Sequence, residues 1–102
     1  MRAYFTPIAQ ERLDSIVDYL DQTWGRRIRE EFLFELNHCV ALICEKPELF
    51  PSLDGFSDVR KCVLSFYHTL FYRVKDDQIQ ILTIWDNRMN PDTLNRIISQ
   101  SH

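Results

Sequence analysis

The second half of the chain constrains the fold most. Three strand-like runs, Val59 to Leu64, Tyr67 to Lys75 and Gln78 to Trp85, follow one another with connections of only two residues. A parallel crossover needs a dozen residues or more, so the three runs must pair as an antiparallel meander. Leu70, Tyr72 and Val74 alternate along the second run, and Ile79, Ile81, Leu82 and Ile84 fill the third. Asp76-Asp77 between them reads as a tight turn, since Asp tolerates the left-handed conformation.

A meander with an apolar face needs a covering layer, and the first half supplies it. Ala3-Tyr4-Phe5 reads as an edge strand. Thr6 can cap a helix and Pro7 suits its first position. Ala9, Leu13, Ile16, Val17, Leu20 and Trp24 then recur at steps of three and four, one stripe of an amphipathic helix. Gln10, Glu11, Arg12, Asp14, Asp18 and Asp21 form its solvated face. Gly25 ends it. A second helix carries Ile28, Phe32, Leu36, Cys39, Val40 and Ile43 on one stripe and stops before Pro47. The single-residue link predicts an antiparallel helical hairpin. Asn90-Pro91-Asp92 opens a last short helix with Leu94, Ile97 and Ile98 on its apolar face. The predicted class is α+β: an N-terminal strand and helical hairpin packed on a C-terminal antiparallel meander, then a short helix. The helices are expected on one face of the sheet.

The 102 residues suit one domain, and 45% hydrophobic content with 13% aromatics suffices for one core. Net charge is −3 and the pI about 5.5, without the basic excess that drives general nucleic-acid binding. Neither half hides one: residues 1–46 hold six Lys/Arg against eight Asp/Glu, and residues 47–102 six against seven. The N-terminus is not a signal peptide and no run spans a bilayer, which predicts a cytoplasmic protein. Three cysteines, Cys39, Cys44 and Cys62, without Cys-x-x-Cys spacing, read as buried free thiols rather than a disulfide framework or zinc site.

No Gly-rich phosphate loop, nucleophile elbow or metal-ligand spacing occurs, so no cofactor or metal is expected. His38 reads as structural. The basic residues of the meander remain: Arg60 and Lys61 on the first strand, Arg73 and Lys75 sharing a face of the second, and Arg88 beyond the third. A charge run on a strand is commonly a solvated face. Arg88 beside Trp85 is a candidate anion or carboxylate clamp, with Arg60 in the same sheet. Competing with that are Asp58–Arg60 and Asp86–Arg88 surface pairs of little energetic consequence. Arg60, Arg73, Trp85 and Arg88 are the candidate target-binding residues.

The order of these pieces resembles a known family. A helical hairpin ends in Lys-Pro, a Pro/Gly loop leads to a Val-Arg strand, and Tyr67 to Val74 reads Tyr-x-x-x-Phe-Tyr-Arg-Val. Ile79 to Arg88 continues as Ile-x-Ile-Leu-x-Ile-Trp-Asp-Asn-Arg, followed by Asn-Pro. This is similar, over nearly the whole chain, to the RelE/ParE toxins of type II toxin–antitoxin systems, often called plasmid stabilisation proteins. The resemblance implies a cognate antitoxin that wraps the toxin, an oligomeric complex with it, and an interface in the groove between hairpin and sheet. RelE-like members are ribosome-dependent mRNA nucleases, whereas ParE-like members inhibit DNA gyrase without nuclease chemistry. By register the RelE catalytic positions fall on Arg60, Cys62, Thr69, Arg88 and Leu94. Only the two arginines suit phosphate chemistry, with His68 as a lone substitute acid or base. With the acidic pI, this points to a ParE-like toxin that binds a protein target, DNA gyrase being the candidate. The alternatives are a metal-independent mRNA interferase using Arg60, His68 and Arg88, and a non-toxic interaction module.

Overall fold

The computed structural model describes residues 1–101; His102, expected at a mobile terminus, lies outside them. The elements run β1 (Arg2–Phe5), α1 (Pro7–Trp24), α2 (Arg26–Glu45), β2 (Ser52–Leu53), β3 (Phe56–Val63), β4 (His68–Lys75), β5 (Gln78–Asp86) and α3 (Pro91–Ser99). The five strands form one sheet in the order β1-β5-β4-β3-β2. β1 lies parallel to β5, and the other neighbours are antiparallel. β2 was not visible in the sequence, where its two residues sit inside a Pro/Gly loop. Among the described residues no helix is long and apolar enough to cross a membrane.

Local chemistry sets the element ends. Thr6 accepts the Ala9 amide at 3.1 Å, with Pro7 at the first helical position. Its hydroxyl donates to the Leu82 carbonyl at 3.2 Å, fastening the start of α1 to β5. Gly25 has φ +93°, a conformation side chains rarely adopt, and it closes α1 while opening α2 without a gap. Asp76 and Asp77 both adopt positive φ, as a two-residue primed hairpin turn requires. Asn90 caps α3 through the Asp92 amide at 2.9 Å.

The sheet is apolar on both faces. The hairpin face holds Ala9, Leu20, Phe32, Leu36, Ile43, Leu70, Tyr72, Ile79, Ile81 and Ile84. The opposite face holds Val59, Phe71, Leu82 and Trp85 beneath Leu94 and Ile98 of α3. The expectation that all helices share one face is therefore corrected, because α3 covers the other side. A β-bulge explains how β5 serves both. Phe71 pairs with Thr83 and Tyr72 with Ile81, so Leu82 is the extra residue and turns toward α3.

The cysteine reading is corrected too. Cys39 of α2 and Cys62 of β3 are joined as a disulfide across the core, and Cys44 alone is free. Cys39 follows Phe32 and Leu36 on the buried stripe, and Cys62 pairs with Leu70 on the same sheet face. Packing brings together two sulfurs that lie 23 residues apart in sequence.

Candidate functional site

Helix α1 ends and α2 begins above one end of the sheet, where β3 turns into β4. Between them lies a groove of about 700 Å³ lined by Tyr19, Trp24, Ile28, Phe32, Phe34, Phe66, Tyr67, His68 and Arg88, among others. Several of these aromatics face solvent: Trp24 is 65% exposed, Phe34 69% and Phe66 88%. Isolated exposed apolar residues are ordinary, but an aromatic cluster around one concavity marks an interaction surface. At roughly 200 Å² per aromatic side chain, the five rings of Tyr19, Trp24, Phe34, Phe66 and Tyr67 leave on the order of 600 Å² exposed. The acidic groups on the α2 wall are largely matched by neighbours. Glu30 pairs with Arg26 and Arg29, and Glu31 with Arg27. The groove is thus apolar rather than strongly charged.

A smaller recess of about 380 Å³ adjoins it, lined by Arg12, Ser15, Tyr19, His68, Asp86 and Arg88 among others. His68 sits where the two meet. Its ring packs edge-on against Phe32 with centroids 5.3 Å apart, and its Nδ1 shares a 3.2 Å hydrogen bond with the Ser65 hydroxyl. Burial pushes the imidazole pKa below 6.5, partly offset by Asp86 and reinforced by Arg88. Arg88 donates to both Asp86 oxygens, at 2.9 and 2.6 Å, and lies over the Tyr67 ring at 4.3 Å. That hydrogen bonding holds the Asp86 carboxyl down at about 2.

The His68 shift has a pH consequence. The folded state favours the neutral ring, so its contribution is complete above the ordinary value of 6.5. It is lost as the pH falls from there through the lower folded pKa. Thermal unfolding from pH 8 to 5 should therefore show stability declining below about pH 6.5. His68→Gln should flatten that decline; an unchanged slope would contradict it.

The sequence candidates do not converge. Arg60 pairs with Tyr72 in register, and His68 pairs with Asp86. Four residues of β4 separate these levels, about 13 Å, so Arg60 lies far from Arg88. Its guanidinium instead donates to the carbonyls of Glu48 (3.4 Å) and Phe50 (2.7 Å), anchoring the loop after α2. Arg60→Ala is expected to cost about 1–2 kcal/mol in urea unfolding without touching the groove. Arg73 points to the α3 face, donating to Gln80, Asp58 and the Ser101 carbonyl at the end of that helix. Trp85, expected as a target contact, is 2% exposed beneath α3, so its ring is closed to a partner. Thr69 donates to Asn87, and Cys62 and Leu94 are buried. Of the expected residues only His68 and Arg88 meet. Among the described residues no His, Cys, Asp and Glu side chains group as a metal site.

Sequence reasoning missed most of the groove. Trp24 falls on the α1 stripe by spacing, but its position at the helix end leaves it outside the core. Phe34 lies off the α2 stripe, and Phe66-Tyr67 occupy a turn. Aromatics placed where no core needs them were the available signal. Arg12 falls by spacing on the solvated face of α1. It lies 5.0 Å over the Trp85 ring and donates to the Met89 sulfur, with its Nε buried.

This architecture has known relatives. The sequence profile described as ParE toxin of type II toxin-antitoxin system, parDE, matches residues 3–91. Toxin ParE1 of Mycobacterium tuberculosis (strain CDC 1551 / Oshkosh) is 29% identical over 92 residues, covering 89% of this chain and 94% of that one. Among solved structures, the chromosomal ParDE TA system from P. aeruginosa superposes with a TM-score of 0.70 at 23% identity, over 84% of this chain and 95% of that one. The isolated E. coli RelE toxin gives 0.60 at 18% identity, over 94% and 97%. The profile spans both the hairpin and the whole meander. The chain belongs to the ParE toxin family of type II toxin–antitoxin systems.

Proposed function

We propose that this toxin acts by seizing a protein target, with DNA gyrase as the candidate, and that the aromatic groove between the helical hairpin and the β3–β4 turn seats its protein partners, the neutralising antitoxin among them. The observation that carries this reading is the groove itself: a concave, apolar, aromatic-rimmed surface suits an amphipathic helix or extended segment. An antitoxin partner is in keeping with the YoeB-YefM complexes from Staphylococcus aureus, which share the fold.

The residues argue against substrate turnover. Cleaving RNA without a metal requires a base, an acid and cations around the phosphate. Here Arg60 sits about 13 Å along the sheet from the His68 level and is committed to the Glu48 and Phe50 carbonyls, and Arg88 is closed onto Asp86. Thr69 and Cys62 carry no charge. His68 with Arg88 is the pair that favours the interferase alternative.

Expression of the chain alone in a bacterial host is the test. Growth arrest with loss of gyrase supercoiling is expected, relieved by the antitoxin. Arrest with normal supercoiling and ribosome-dependent mRNA cleavage, lost in Arg88→Ala, would replace this reading with the interferase. No arrest at all would leave a binding module.

A further inference from the structure

We propose that the Cys39–Cys62 pair is a redox-responsive strap that sets how far the walls of the partner groove can part; the functional meaning of this strap rests on the groove reading above. The cysteines join the two elements that build those walls. Cys39 lies seven residues beyond Phe32 on the same stripe of α2, about 10 Å along the helix. Cys62 lies two residues before Leu64, about 7 Å along β3 and on the same sheet face. Phe32 lines one wall, and Leu64 begins the β3–β4 turn that forms the other. Between the same walls the Phe32–His68 ring contact supplies a second, non-covalent tie. With the bond made, α2 and β3 cannot separate. With it broken, the walls are held by side-chain packing and, farther along β3, by the Arg60 bonds to the loop after α2.

The placement also selects this pair. Cys44 is five residues from Cys39, well around the helix, and is only partly buried. Both Cys39 and Cys62 are 4% exposed. A bulky disulfide reagent cannot reach them in the folded protein, whereas a hydroperoxide can. Hydrogen peroxide oxidises one thiol to the sulfenic acid and releases one water. The other thiol then displaces the sulfenic hydroxyl as a second water, forming the S–S bond. Overall, two thiols and one peroxide give one disulfide and two waters. A dithiol reductant reverses the step by exchange when local opening of the α2–β3 contact exposes a sulfur. In a reducing compartment such a bond is transient, which is what a sensor requires.

The test uses the free full-length chain, so it needs neither partner nor toxicity and can fail independently of the toxin reading. Reduced protein is treated with stoichiometric hydrogen peroxide while native. The expected product is monomeric, lighter by two hydrogen atoms, and has Cys44 as its one thiol titratable under denaturing conditions. Its melting temperature should exceed that of the reduced form by roughly 10–20 °C, from closure of the loop between the cysteines. Amide exchange in Leu64–His68 and Ile28–Leu36 should slow by roughly tenfold or more. Cys44→Ser should show the same loss of two hydrogen atoms and the same gain in melting temperature, with no titratable thiol left. Cys62→Ser should abolish the mass change; in situ reduction of the wild type covers the case in which that variant does not fold. Three titratable thiols after treatment, covalent dimers through Cys44, or equal exchange at the groove walls in both states would overturn the proposal.

Discussion

Trp85→Ala is expected to destabilise the protein by about 3–5 kcal/mol, a large part of the stability of a domain this size. Its indole is 2% exposed and fills the space between β5 and α3 with Phe71, Leu82, Leu94 and Ile98. Arg12 covers the ring from α1, so the tryptophan also touches the hairpin side at the end of the sheet. Truncation removes the largest side chain under a nine-residue helix. A helix that short does not persist in water alone, so α3 depends on this contact, its Asn90 cap and the Arg73 bond to Ser101. Urea unfolding should show the loss, with amide exchange in α3 rising before the rest of the chain. Trp85→Phe should recover more than half of it. A loss below about 1 kcal/mol would mean that α3 is held by something else. Loss of toxicity in this variant would reflect folding, not a missing contact.

The first and second helices, the three long strands and the α3 start were legible because each is announced locally. Thr6-Pro7, Gly25, Pro47 and Asn90-Pro91 mark boundaries through backbone chemistry that acts within a few residues. The second core was not legible. Residues 79–85 form an almost continuous apolar run, and the bulge at Leu82 breaks the alternation that would assign faces. The site was less legible for a similar reason. Arg60 and Arg73 look alike as cations on strands, yet each is satisfied by carbonyls or side chains distant in sequence. Nothing near Arg60 announces the Phe50 carbonyl. Cys39 and Cys62 share the same difficulty, since only the packing of α2 on β3 brings them together. Family resemblance carried the fold over these gaps, because it encodes the order of elements. It could not carry the groove, whose aromatics lie outside the catalytic register by which the two branches of the superfamily are compared.

Phe34→Ala and Phe66→Ala are each expected to weaken antitoxin binding by about 2 kcal/mol or more, roughly thirtyfold in Kd, while changing folding stability by less than about 0.5 kcal/mol. The two expectations follow from the same fact. Side chains 69% and 88% exposed contribute little to the core, so removing them costs the monomer little. In a complex they would be the rings that a partner desolvates, and aromatic side chains dominate such interfaces. Trp24→Ala should act alike, because its ring rims the groove at the helix joint with 65% of its surface open. Calorimetric titration with the antitoxin gives the affinity, and urea unfolding of each variant gives the stability. Arg60→Ala supplies the opposite control, lowering stability and sparing affinity, since its guanidinium serves the loop after α2. If the phenylalanine variants bind as the wild type does, the antitoxin lies elsewhere on the toxin. In that case the edge of β1 opposite β5, which no strand of the described residues covers, becomes the surface to examine by the same pair of measurements.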